Sequence, residues 1–424
     1  MMQSHAALRW GSWLRLALCT AAGASSHACA QPECASPDYG NPECRVIAEN
    51  ELARLLTGAG VEVRFQEPTA RSTATWAATG LVRETTPGEL SLRVAGPGAF
   101  AISFEPTQPG ADTTLALTLE NVDPAASVVL EDFGGPVEIP AVQGTTRRSV
   151  TLHVDGPGVR WIRGTRPCPP RYRLAVTADI QTNPWQFERI VDRLIAESQE
   201  AEAAGEPLVG LVIAGDLSEA SRADEFDTLA PIFARLPFPV AVTAGNHDIY
   251  RPLHPQYNRN FGPGNYTFAV CDVHVAMLDT GSGTIARSVQ ARLPELLDRG
   301  DRSHLLAVMH HPPYPGITGS GWSREDTAAQ VLVEFASADV DLVLAGHNHA
   351  LHDFPSIDVG DAVLREIIVG TAGAYQGVGV PRYGYLRLRF GDGDDVQPCF
   401  VEVEPAGLDG PAGDSLRTLE YCAD

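Results

Sequence analysis

From residue 61 to about 163 the chain alternates apolar and polar positions with a period of two. Leu90-Ser91-Leu92-Arg93-Val94, Leu115-Ala116-Leu117-Thr118-Leu119 and Val150-Thr151-Leu152-His153-Val154 each read as half-buried strands, and Val128-Val129-Leu130 as a shorter one. Turn signals such as Gly96-Pro97-Gly98 and Gly134-Gly135-Pro136 separate them. The pattern predicts an all-β sandwich over 61–165. It holds no cluster of His, Cys or paired carboxylates, so it reads as a packing or binding module. Cys168-Pro169-Pro170 then forms a stiff junction.

After Arg171 the period changes. Residues 172–178 and 208–214 are continuous apolar runs. Phe187, Ile190, Val191, Leu194 and Ile195 recur at helical spacing, as do Phe226, Leu229 and Phe233. With the short apolar run 240–242 this is β-α-β-α-β. Further along, 266–278 reads as a hairpin, 289–297 as a helix, 305–309 as a strand, 331–335 as a helix face and 342–345 as a strand, with closing strands at 367–369 and 385–390.

Polar residues gather where these strands end. Asp179 and Gln181 follow the first, Asp216 the second, Asn246, His247 and Asp248 the third, and His310 and His311 the fourth. His347 and His349, in Gly346-His347-Asn348-His349, follow the fifth. In an open α/β sheet the carboxyl ends of the strands converge on one rim, where sites form. Mixed carboxylate, amide and imidazole donors suit divalent Mn, Fe or Zn, and there are enough of them here for two ions.

Composition narrows the partners. The 31 basic and 53 acidic residues give a net charge of -22, and every basic residue is Arg. Nucleic acid polymers are unsuitable partners for such a chain. The lack of lysine excludes Schiff-base chemistry and the phosphate-loop lysine. The first thirty residues carry Arg9, Arg15 and an apolar run ending at Ala28-Cys29-Ala30, the pattern of a signal peptide, and predict export. Cys29 makes a poor lipid-anchor motif, so cleavage after Ala30 is preferred to lipoprotein anchoring. No other segment approaches the apolar length of a transmembrane helix. Beyond the leader, six cysteines point to disulfides: Cys34 and Cys44 are spaced to close a small loop, and Cys399 and Cys422 to staple the tail.

The ordered set of Asp179, Gly215-Asp216, Gly245-Asn246-His247-Asp248, His310 before a Pro, and Gly346-His347-Asn348-His349 resembles the calcineurin-like metallophosphoesterase superfamily. The match runs over 171–404, after a sandwich arranged as in purple acid phosphatases. The resemblance implies a four-layer αββα fold and two metal ions. One is held by Asp179, Asp216 and His349, the other by Asp216, Asn246, His310 and His347, with Asp216 as the bridge. It implies that His247 contacts the phosphoryl oxygens or protonates the leaving group, with Asp248 as its orienting partner. Gln181 stands where the first motif usually carries His. Purple acid phosphatases place a Tyr three residues after the bridging Asp; Glu219 stands there, a candidate to complete the first site, and purple colour is not expected. His311 is a candidate second-sphere group or ligand, and Arg251, Tyr314 and Arg324 are candidates for substrate contact. The implied function is an exported hydrolase of small phosphomonoesters acting by attack of a metal-bridging hydroxide. The alternatives are a phosphodiesterase on nucleotides or lipid head groups, or a metal-stabilised binding protein. The expected layout is leader 1–30, a Cys- and Pro-containing segment 31–60, sandwich 61–165, catalytic domain 171–404 and tail 405–424.

Overall fold

The computed structural model describes residue 34 and residues 40–66, 79–108, 110, 112–250, 256–315, 319, 321–376, 381–391, 396–405 and 418–422. The segment expected to be a leader lies outside them. Helix α1 (Pro42–Leu52) opens the described chain, its Asn41 side chain capping the Glu43 N–H and Pro42 starting the first turn. Ten strands follow: β1 (Arg54–Leu56), β2 (Val61–Gln66), β3 (Gly80–Thr86), β4 (Glu89–Val94), β5 (Phe100–Pro106), β6 (Asp112–Glu120), β7 (Ser127–Asp132), β8 (Gly135–Glu138), β9 (Arg148–Asp155) and β10 (Arg160–Thr165). They form one sheet in the order β1-β2-β5-β10-β7-β8 and another in the order β3-β4-β6-β9. The alternation read from sequence is visible in β6, where Leu115, Leu117 and Leu119 point into the core between the sheets.

The second half is built on two six-stranded sheets. The first runs β13 (Val240–Val242), β12 (Leu208–Ile213), β11 (Tyr172–Thr177), β20 (Gly384–Phe390), β21 (Gln397–Val403) and β22 (Thr418–Cys422). The second runs β14 (Tyr266–Val270), β15 (Val273–Leu278), β16 (His304–Met309), β17 (Leu342–Ala345), β19 (Ala362–Val369) and β18 (Leu351–Val359). One apolar core lies between the two sheets, with Leu174, Val176 and Val212 meeting Val275, Leu306 and Leu344. Helices α2 (Pro184–Ala203) and α3 (Ala223–Phe233) cover the outer face of the first sheet. Helices α5 (Arg287–Gln290), α6 (Leu293–Leu296) and α7 (Glu325–Ser337) cover the outer face of the second. Helix α4 (Gln256–Asn260) packs beside α3. The layers are therefore α, β, β, α. The parallel pairs β11/β12, β12/β13, β15/β16 and β16/β17 bring their carboxyl ends to one rim.

Two elements differ from expectation. The helix expected over 289–297 is two short helices, α5 and α6, because Pro294 restarts the chain in the first turn of the second. The stretch expected as a tail adds β22 to the first sheet. Cys34 and Cys44 are disulfide-bonded; Cys399 is disulfide-bonded too, and its register partner on β22 is Cys422. No helix among the described residues is long and apolar enough to cross a membrane.

Candidate metal centre

Four polar groups at the rim are held by an unusual backbone. Asp179, Asp216, His347 and His349 all have positive φ, at 63°, 56°, 70° and 41°. A non-glycine residue in this region costs roughly 1 kcal/mol or more, and such residues concentrate at functional sites. Glycines make room for the carboxylates. A Cβ on Gly245 would stand 2.1 Å from Asp216 Oδ1, and one on Gly346 would stand 2.6 Å from Asp179 Oδ2. The backbone then fixes both acids: the His347 N–H donates to both Asp179 oxygens at 3.1 and 3.0 Å, and the His247 N–H to Asp216 Oδ1 at 2.9 Å.

Hydrogen bonds also settle which imidazole nitrogens carry lone pairs. His310 Nδ1 is 2.9 Å from the Ala214 carbonyl, which only accepts, so the proton is on Nδ1. His310 Nε2 therefore faces Asp216 Oδ2 at 3.2 Å and Asn246 Oδ1 at 3.0 Å with a lone pair. By the same argument His349 Nδ1 donates to the Tyr375 carbonyl at 3.0 Å, leaving Nε2 free to accept from Gln181 Nε2 at 2.9 Å. His349 Nε2 also lies 3.5 Å from Asp179 Oδ1. His347 Nδ1 approaches Asn246 Oδ1 at 3.2 Å.

Lone pairs meeting lone pairs repel unless a proton or a cation lies among them. The titration behaviour follows from this. Burial alone would lower the proton affinity of His310, but Asp216 and Asp179 more than offset it and hold the imidazole up at about 9. Burial and the Asp216 charge push Asp179 up to about 8. Asp216 is held below the usual carboxylate range, since contact with His310 outweighs its burial. Burial, followed by the neighbouring His310, pulls His347 down to about 4 and lowers His311 further. His349 is lowered chiefly by burial. Three neutral imidazoles thus stand beside buried carboxylates, and the buried Gln181 Oε1 has no hydrogen-bond partner. Orphaned buried acceptors of this kind are rare and call for a partner. Asp179, Asp216 and His310 form one group of converging ligand atoms, and His310, His311 and His347 another. The donor set fits divalent metal ions of the Mn, Fe or Zn type.

The remaining candidates separate. The His247 imidazole stands at the rim, its Nδ1 donating to the Glu219 carbonyl at 2.7 Å and its Nε2 3.2 Å from the Tyr250 hydroxyl. Asp248 does not orient it, contrary to expectation. Its Oδ1 accepts from the Leu217 and Ser218 N–H groups, both at 3.0 Å, and its Oδ2 from the Gly245 N–H at 3.0 Å, so it ties the β12 and β13 loops together. Orientation of the imidazole falls to Glu219, whose carboxylate lies 3.6 Å from His247 Nδ1 rather than among the Asp179 ligand group. His311 packs its ring on His347 at 4.2 Å, and its backbone is tied to Thr280 and Trp322. Of the groups expected at the substrate, Arg251 lies outside the described residues. Arg324 is an exposed ion pair with Asp326 at 2.6 Å, and Tyr314 turns edge-on to Phe354. Tyr250 and the Tyr375 carbonyl were not foreseen. Both act through contacts that form only once the rim loops fold, although Tyr250 follows the Asn246 motif by four residues.

Residues 172–351 match the family model described as calcineurin-like phosphoesterase. A glycerophosphodiester phosphodiesterase of Enterobacter lignolyticus is 29% identical over 163 residues, covering 33% of this chain and 56% of that protein. A probable cyclic nucleotide phosphodiesterase of Ruthia magnifica is 25% identical over 156 residues, covering 35% of this chain and 65% of that one. The chain thus spans less than two thirds of either relative. Among solved structures, a purple acid phosphatase from yellow lupin (Lupinus luteus) seeds aligns over 86% of this chain and 91% of its own, at 10% identity and a TM-score of 0.46.

Proposed function

From the match of residues 172–351 to the calcineurin-like phosphoesterase family, we propose that this chain belongs to that superfamily and hydrolyses small phosphoesters at a centre of two divalent metal ions. The observation that carries the reading is the convergence of His310 Nε2, Asp216 Oδ2 and Asn246 Oδ1, with both oxygens within 3.2 Å of the imidazole nitrogen. Asp179, Gln181, Asp216 and His349 would hold one ion, and Asp216, Asn246, His310 and His347 the other. Bound there, the ions supply neutralisation of phosphoryl charge and a water of lowered pKa.

The chain's own groups do the rest. Asp216, shared by the two sets, would hold both ions. His347 and His349 stay neutral near pH 7, because burial opposes their charging, and so keep their lone pairs and leave the site's charge positive for an anionic ester. His247, anchored through Nδ1, presents Nε2 at the rim, where it can hold a proton for a leaving-group oxygen. Phosphodiesters are favoured over the monoesters expected from sequence. Both curated relatives are named as phosphodiesterases, and Arg324, a candidate for substrate contact, is paired with Asp326. An exported location agrees with the leader pattern and the Cys34–Cys44 disulfide.

The test is hydrolysis of an aryl phosphate monoester and the matching diester by metal-stripped protein given Mn, Zn or Fe, with Asp216→Asn as control. Turnover that depends on metal, disappears in the control and is faster on the diester is the expected result. Folded protein that turns over neither ester with any of the three metals overturns the reading.

A further inference from the structure

Tyr250 lies at the end of the short 3-10 turn His247–Ile249, with just over half its surface exposed. Its hydroxyl is 2.9 Å from Asn246 Nδ2 and 3.2 Å from His247 Nε2, and its ring packs on the His247 ring at 4.4 Å. With His247 neutral, the direction of each hydrogen bond in this series is forced. The Glu219 carbonyl only accepts, so His247 carries its proton on Nδ1 and bares a lone pair at Nε2. That lone pair takes the phenolic hydrogen. The phenol oxygen is then left as an acceptor, and the group it accepts from is the Asn246 amide NH2.

This matters because the other end of the Asn246 amide faces the metal centre. Its Oδ1 meets His310 Nε2 at 3.0 Å and His347 Nδ1 at 3.2 Å. Both ring nitrogens face that oxygen, and a reversed amide, with NH2 turned toward them, has no oxygen to give a cation. Building on the metal reading above, we propose that Tyr250 is a positioning residue that holds the Asn246 amide oxygen toward the metal centre. The polarity is set at one end by a backbone carbonyl of the β12 loop and delivered at the other as a ligand atom. Outer-sphere partners of this kind commonly affect metal affinity by about 10- to 100-fold.

The test is titration of Mn2+ into metal-free protein by calorimetry, for wild type, Tyr250→Phe, Asn246→Asp and the double variant. Tyr250→Phe removes one oxygen from a half-exposed ring, and circular dichroism and thermal melting confirm its fold. Two Mn2+ sites in wild type, with one weakened about 10- to 100-fold in Tyr250→Phe and the other unchanged, is the expected outcome. A carboxylate offers an oxygen in either orientation, so in the Asn246→Asp background the same Phe substitution should change affinity by less than about threefold; a purely structural role for Tyr250 would persist there. Two wild-type sites that both survive Tyr250→Phe unchanged overturn this inference alone. A wild-type protein that binds no Mn2+ overturns the metal reading and this inference together.

Discussion

Gln181 gives the first proposed metal position its character. Its amide nitrogen donates to His349 Nε2, the lone pair that a metal would need, while its own oxygen is buried without a partner. An ion entering there must displace that hydrogen bond and turn the amide. Gln181→His replaces a neutral amide with a stronger donor for borderline metals and removes the competing N–H. Zn2+ affinity at this position should rise on the order of tenfold, read by competition with a chromogenic chelator. Unchanged affinity would place Gln181 outside the coordination sphere. The residues flanking it were legible in the sequence, because Asp and His at the ends of apolar runs have no core role and the strands themselves dictate where they converge. The role of Asp248 was not. Its partners are backbone N–H groups of Leu217, Ser218 and Gly245, and a backbone donor has no signature in the residue that carries it.

At the scale of elements, helix α1 shows how a segment with a weak sequence signal becomes part of the catalytic half. It docks through a buried ion pair, Arg45 Nε to Asp279 Oδ2 at 2.7 Å, and through Glu49, which accepts from the Gly264 N–H at 2.9 Å. Asp279 precedes Thr280, whose hydroxyl accepts the His311 N–H, so the helix braces the rim from beneath. Burial, then the nearby Asp279 charge, raises Glu49 from 4.5 to about 8. The folded protein therefore keeps a proton there that the unfolded chain releases. The stabilisation is complete below the unfolded value and is lost as pH rises through about 8. Glu49→Gln removes this titration and keeps the hydrogen-bond acceptor. Between pH 5 and 9 the Tm of wild type should fall further than that of the variant, at about 1 °C per kcal/mol for a chain of this size. Parallel curves would show that Glu49 does not titrate in this window. The helix escaped the sequence reading because its buried face, Cys44, Arg45, Val46 and Glu49, is half polar, so no apolar stripe marks it. The long helices α2 and α7 were visible for the opposite reason: their buried faces are mainly Phe, Ile, Val and Leu at helical spacing.

For the whole molecule, the sandwich closes an edge that the catalytic half leaves open. Strand β13 is the last in its sheet and pairs only with β12, so its outer backbone groups need partners from elsewhere. Asn121 provides them. From a left-handed backbone after β6, its Oδ1 accepts the Val240 N–H at 2.8 Å and its Nδ2 donates to the Val240 carbonyl at 2.9 Å and the Val94 carbonyl at 2.7 Å. Arg93 adds a bond to the same Val240 carbonyl. One amide side chain thus does the work of a neighbouring strand, and it does so on the strand that leads directly into Gly245, Asn246 and His247. The sandwich, which offers no chemistry of its own, holds the root of the catalytic loop. Asn121→Ala leaves the buried Val240 N–H without its partner, a loss worth about 1–3 kcal/mol, and should lower stability by that order in one cooperative transition. Two separate transitions in calorimetry, with the catalytic half melting at the wild-type temperature, would show that the two halves are independent. If they are coupled, the same substitution should also loosen the Asn246 loop, so Mn2+ affinity should fall with stability in Asn121→Ala and stay constant in a variant on the far, exposed face of the sandwich such as Val137→Ala.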